Sequence, residues 1–226
     1  MLRQSTNKGN VISLLNPSSP ISEVYKTLRT NVQFSSIDTP FKTIMATSAI
    51  KGEGKTTTVS NLAVAYAQEG KKVILIDCDL RSPSIHQVFS QSNHAGLTNI
   101  LANQNQWQEV VRDTTIDTLS LLTSGPIPPN PAELLASRRM QSLIEELKQH
   151  YDMIFFDVPP VLAVTDSLVV SALSDGVILV VNAGKVDKEL VRKTKASLEH
   201  VNARLIGVVL NRINRSERKA ALQYYD

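Results

Sequence analysis

The 226 residues contain one cysteine, Cys78. An intramolecular disulfide is therefore impossible, and a thiolate-based zinc site lacks its ligands. The four histidines, at 86, 94, 150 and 200, follow no metal-binding spacing. Long apolar runs are missing too. The longest aliphatic stretch, Val177–Val181, falls far short of the roughly 18 residues that span a bilayer, and residues 1–10 have no apolar core of a secretion signal. The expected location is cytoplasmic. Charge of one sign is not massed: the net charge is +3, and basic residues are spread along the chain except at Arg212, Arg215, Arg218 and Lys219. No nucleic-acid motif accompanies that cluster, so nucleic acid is not an expected partner.

What is present is ordinary globular composition, with 42% hydrophobic and 20% charged residues, in a length suited to one core. Apolar runs suggest strands at Thr43–Thr47, Lys72–Asp77, Leu119–Thr123, Met153–Asp157, Val177–Asn182 and Leu205–Leu210. Helical periodicity falls between them, at Thr57–Gln68, Pro131–His150, Thr165–Leu173 and Lys188–His200, and ahead of them from an N-cap at Ser22 to Phe34. Strands alternating with helices imply an α/β fold, a mostly parallel sheet with helices on both faces. The expected organisation is an extended arm over 1–20, a single domain over 21–211 and a basic, tyrosine-containing tail over 212–226.

The loop after the first strand reads AIKGEGKT, Ala49–Thr56. It fits the P-loop pattern, with Ala49 in place of the first glycine. Gly52 and Gly54 let successive N–H groups turn toward phosphate oxygens, and the following helix adds the positive end of its dipole. Ala49, Lys51, Gly52, Glu53, Gly54, Lys55, Thr56 and Thr57 are the expected nucleotide contacts, with Lys55 on the β- and γ-phosphates and the Thr56 hydroxyl on Mg²⁺. Two carboxylate sites end later strands, in VILIDCDLR and MIFFDVPP. Asp157 fits a metal-holding role, and Asp77 and Asp79, two residues apart, point to one side of an extended backbone. One can serve the metal and the other the acceptor. Cys78 between them points the opposite way and is expected to pack. Asn211 and Arg212, just past the last strand, sit where a nucleotide base is read.

These motifs together resemble the bacterial tyrosine kinases, a P-loop family that phosphorylates its own tyrosine-rich tail and accompanies capsule and exopolysaccharide synthesis. Lys55 and Thr56 match its Walker A motif, Asp77, Asp79 and Arg81 its DxDxR motif, and Asp157 with Pro159 and Pro160 its Walker B motif. Glu23 and Arg29 match the ExxRxxR helix through which members assemble into rings, with Lys26 standing where the pattern has arginine. Tyr224 and Tyr225 are similar to a shortened tyrosine cluster.

The resemblance implies an ATP- and Mg²⁺-dependent kinase in which Asp77 and Asp157 hold the metal, Asp79 is the base, Lys55 neutralises the transferred group and Arg81 lies at the nucleotide. It also implies protein tyrosine substrates, a homo-oligomer, and a membrane adaptor whose cytoplasmic segment promotes nucleotide binding and recruits the kinase to the inner face of the membrane. Residues 211–225 extend at most about 50 Å, enough for transfer within or between subunits. The competing reading is a partition-type ATPase switch. That class carries a signature lysine five positions before the P-loop lysine, where this chain has Ile50. A third reading is a nucleotide-gated assembly module without turnover.

Overall fold

The apolar runs lie side by side as strands in the computed structural model, which describes residues 11–35 and 40–213. Two helices come first, α1 (Ile12–Leu15) and α2 (Pro20–Phe34), then β1 (Thr43–Ser48), α3 (Lys55–Ala67) and β2 (Val73–Asp77). Short elements follow: α4 (Ile85–Val88), α5 (Leu97–Leu101), α6 (Trp107–Val110), β3 (Arg112–Asp113), β4 (Leu119–Leu122) and α7 (Pro131–Leu135). The chain continues through α8 (Arg138–Lys148), β5 (Met153–Asp157), α9 (Asp166–Ser171), β6 (Gly176–Asn182), α10 (Lys188–His200) and β7 (Leu205–Asn211).

The strands form one sheet in the order β3-β4-β2-β5-β1-β6-β7, parallel except for β3. The mostly parallel α/β reading holds. The pleat sorts side chains by parity. Val73, Leu75, Met153 and Phe155 pack on the face carrying α2 and α3, while Ile74, Ile76, Ile154 and Phe156 enter the core on the other face. Strands buried on both faces have no polar side, which is why they read as continuous apolar runs. In α3 every residue from Thr58 to Ala67 is buried, because α1 and α2 pack over the helix that itself lies on the sheet.

Three local expectations are corrected. Residues 12–15 are not an extended arm but a helical turn held to α3, with Ser13 N–H donating to Asn61 Oδ1 at 2.9 Å and Gln68 Nε2 donating to Ser13 O at 2.8 Å. The N-cap of α2 is Ser19, whose Oγ accepts from Ser22 N–H at 3.0 Å, with Pro20 at the first helical position. Ser22 is buried, and its hydroxyl donates to Asn16 O at 2.7 Å. The helix expected over Pro131–His150 is interrupted at Ser137, which caps a new helix by accepting from Met140 N–H at 3.2 Å.

Ser19→Ala removes the α2 cap at a cost of about 1 kcal/mol. A Tm lower by roughly 2–4 °C is expected in a thermal scan, and an unchanged Tm would assign the start of α2 to packing alone.

Candidate active site

Asp157 at the end of β5 stands in register with Asp77 at the end of β2 and with Ala46 of β1. The P-loop leaves β1 two residues later, so loop and carboxylates meet at the carboxyl edge of the sheet, where open α/β sheets bind ligands. Gly52 and Gly54 adopt φ of +88° and +99°. Only glycine takes such angles freely, and they turn the loop back on itself. The first helical bond of α3 runs from Thr58 N–H to Gly54 O at 2.9 Å. The N–H groups of Lys55, Thr56 and Thr57 are thus the open donors of the first turn, at the positive end of the helix.

The Lys55 ammonium lies 3.0 Å from Asp79 Oδ2 and 3.4 Å from Asp157 Oδ1. Thr56 Oγ1 donates to Asp157 Oδ2 at 2.7 Å and lies 3.3 Å from Ser84 Oγ. Burial works against the Lys55 charge, yet Asp157 and Asp79 outweigh it and its pKa lies above the usual lysine value. Burial raises the Asp157 pKa, although Lys55 and the Thr56 hydroxyl pull it down. Burial and the neighbouring Asp157 push Asp77 up to about 7.

A cleft of about 790 Å³ opens over these groups. Of the residues expected at the nucleotide, Lys51, Gly52, Gly54, Lys55, Thr56, Thr57, Arg81 and Arg212 line it, as does Asp79. Ala49 and Glu53 are buried behind the loop, and Asn211 donates its amide to Glu53 O at 2.8 Å instead of facing the cleft. Asp77 is also absent from the lining. Its Oδ1 accepts from Asp79 N–H at 3.2 Å, and its Oδ2 accepts from Ser84 and Ile85 N–H, both at 2.9 Å. Those bonds anchor the turn that carries Asp79. Cys78 is buried in the core and does not line the cleft.

Arg81 makes a two-pronged bond to Asp166, Nε to Oδ2 at 2.9 Å and Nη2 to Oδ1 at 3.0 Å, joining the two walls of the cleft. Asp166 and Ser84 were not anticipated. The Ser84 position in RSPS, just past DxDxR, was the available signal for one, whereas nothing local points to the other.

On α2, Glu23 and Lys26 pair with each other on the surface at 2.7 Å. Arg29 turns inward, donating to Ala65 O at 2.9 Å and lying 3.5 Å from Glu69. Tyr224 and Tyr225 lie outside the described residues.

Among the described residues no group of three or more His, Cys, Asp or Glu side chains forms a closed metal cage. Mg²⁺ seldom uses one. It binds through one or two carboxylates, phosphate oxygens and water, and the Thr56–Asp157 pair offers that hard-oxygen partial set. No helix among the described residues is long and apolar enough to cross a membrane.

The AAA domain family model matches residues 41–206. Tyrosine-protein kinase YwqD of Bacillus subtilis is 46% identical over 209 residues, covering 92% of this chain and 88% of that protein. The crystal structure of the chimerical protein CapA2B2 superposes with a TM-score of 0.88 at 41% identity, over 91% of this chain and 90% of the other. The kinase domain of the Escherichia coli tyrosine kinase ETK gives a TM-score of 0.85 at 32% identity, over 95% and 86%. With the family model matched over most of the chain, and sequence identity and fold shared over nearly its whole length, the chain belongs to the AAA domain family and to the bacterial tyrosine-protein kinases.

Proposed function

We propose that this protein transfers the γ-phosphoryl group of ATP to tyrosine hydroxyls, Tyr224 and Tyr225 of a neighbouring copy among them. The observation that carries this reading is the cluster of Lys55, Asp79, Asp157 and Thr56 beneath the open end of α3. The N–H groups of the loop and of the first turn of α3 receive the β- and γ-phosphates. Lys55 then exchanges its carboxylate partners for phosphate oxygens, where its charge neutralises the developing transition state. That exchange frees Asp79 Oδ2, now bonded to Lys55 at 3.0 Å, to accept the tyrosine proton. The tyrosine oxygen bonds to the γ-phosphorus as the bond to ADP breaks. Thr56 and Asp157 would hold Mg²⁺, which supplies further neutralisation of phosphate charge when bound. Asp77 supports Asp79 from behind through the turn it anchors.

The kinase acts in capsule or exopolysaccharide synthesis, as the resemblance implies. A membrane adaptor recruits it and promotes nucleotide binding through a cytoplasmic segment. Subunits join in a ring in which one tail reaches the next active site, the outward pair Glu23 and Lys26 meeting the neighbour while Arg29 braces α2 on α3. The partition-type switch has no support in the loop, since Ile50 leaves it without its signature lysine.

The test is phosphosite mapping by mass spectrometry after incubation with ATP and Mg²⁺, with and without an adaptor's cytoplasmic segment. Phosphate is expected on Tyr224 or Tyr225 and absent from the doubly substituted Tyr224→Phe, Tyr225→Phe protein. ADP release without phosphotyrosine would sink the kinase reading and restore the switch.

A further inference from the structure

Glu53 sits between the two left-handed glycines of the phosphate loop, where a carboxylate facing the cleft would repel phosphate. Its side chain goes the other way. It is 1% exposed, with Oε1 accepting from Ile50 N–H at 2.8 Å and Oε2 accepting from Asn182 N–H at 3.0 Å. Both donors are backbone N–H groups, and they hold a buried carboxylate. Such a group is costly unless its geometry is fixed.

The same residue is gripped a second time, through its backbone. Asn211 Nδ2 donates to Glu53 O at 2.8 Å, and it fills the space where a Cβ on Gly54 would stand, 2.0 Å from that position. Asn182 and Asn211 are register partners at the ends of β6 and β7. Glu53 therefore makes three bonds, one closing the loop on itself and two tying it to the ends of β6 and β7, and none of these partners lines the cleft. Each bond also fixes a peptide orientation. With the Glu53 carbonyl turned to Asn211, the Gly54 N–H of the same trans peptide points the opposite way.

We infer that the side chains of Glu53 and Asn211 are positioning groups that hold the phosphate cradle in its binding shape, and that neither side chain contacts the nucleotide. The inference rests on the nucleotide-binding part of the proposed function and not on the identity of the phosphate acceptor. Glu53→Gln keeps the size of the side chain but sets an amide NH₂ against one of the two N–H donors. Asn211→Ala removes the third bond and leaves the Glu53 carboxylate in place. Phosphate affinity depends on all N–H groups pointing together, so loss of either residue weakens ground-state and transition-state binding alike. KM for ATP should rise more than kcat falls.

The experiment measures dissociation constants of a fluorescent ADP analogue and Mg²⁺ for the full chain, beside KM, kcat and Tm. Each variant is expected to bind about tenfold more weakly, with the kinetic loss falling mainly on KM. The double variant should lose less than the product of the two single losses, because both act on one loop conformation. A variant whose Tm falls while its dissociation constant stays within twofold of the parent would overturn the inference, leaving a structural tie only. If Glu53→Gln does not fold, Asn211→Ala decides by the same readings. Wild-type protein that binds the analogue but forms no phosphotyrosine would sink the kinase reading while leaving this one standing.

Discussion

Lys55→Met is expected to lower the rate of phosphotyrosine formation by about 10²–10³-fold, the loss that follows removal of one preorganised charge partner of a transition state. Methionine keeps the stem of the side chain and removes only the ammonium. The rate is followed by quantitative mass spectrometry, and a variant within tenfold of the parent would remove Lys55 from the transfer step. The same substitution has a second effect, before any nucleotide binds. Asp79 Oδ2 and Asp157 Oδ1 lose the cation they share, and Asp157 is fully buried.

That second effect depends on pH, and its sign follows from the protonation preferences of the folded state. The Asp157 pKa lies above its unfolded value, chiefly because the carboxyl is buried, so the folded chain favours the protonated form. The associated stability is complete below the unfolded value and fades as pH climbs through the folded one. In the parent, Lys55 offsets this. Its own raised pKa keeps it charged through neutral pH, its contribution fading only above the usual lysine range. Without it the Asp157 pKa rises further, and ionisation in a dry site becomes costly. Lys55→Met should therefore be destabilised by about 2–3 kcal/mol at pH 8, and by clearly less at pH 6. Urea midpoints at the two pH values measure this, and an equal offset at both would mean that ionisation of the buried carboxylates does not set the loss. Asp77, pushed up to about 7, is also held down by Lys55, so its pKa rises in the variant and adds to the same pH dependence.

The parts of the site that could be read in the sequence are those that one local pattern encodes. Met153–Asp157 is an uninterrupted apolar run ended by a carboxylate, and it forms β5 with those bounds. Lys188–His200 has helical periodicity behind an aspartate, and it forms α10, capped by Asp187. Between Ile85 and Val110 the helices are four or five residues long, too short for a period to emerge, and no element was expected there. Ser137 breaks Pro131–His150 because a serine can cap, which periodicity alone does not reveal. Side-chain partners were the least legible. A glutamate in a phosphate loop looks like a ligand contact until its partner on β6 is known, 129 residues away. Asn211, expected at the base, is spent on a carbonyl 158 residues back in the chain. Arg29 fits an assembly pattern in one dimension, yet in three dimensions it meets Ala65 and Glu69 of the next layer. A motif gives the residue type a site needs, whereas the direction in which that residue points is decided by strands that arrive later.

Gly54→Ala is expected to weaken nucleotide binding by about 100-fold, and Gly52→Ala by about tenfold. Both glycines have positive φ, so an alanine at either position meets a backbone penalty of roughly 1–2 kcal/mol. They differ in their surroundings. A Cβ on Gly52 would meet nothing within 4 Å, whereas one on Gly54 would lie 2.0 Å from Asn211 Nδ2 and 3.2 Å from its Cγ. Asn211 must then withdraw, and its bond to Glu53 O is lost, worth about 0.5–1.5 kcal/mol. The loop also starts α3, so any shift at Gly54 tilts the first-turn N–H groups that face the phosphates. Dissociation constants of the ADP analogue measure both variants, and equal losses would show that backbone angle alone makes glycine necessary here. A third protein separates crowding from angle. Adding Asn211→Ala to Gly54→Ala removes the atom that the new methyl strikes, so the double variant should bind more tightly than Gly54→Ala alone, although Asn211→Ala by itself weakens binding. That reversal of sign is available only if the amide of Asn211 and the missing side chain of Gly54 occupy one space.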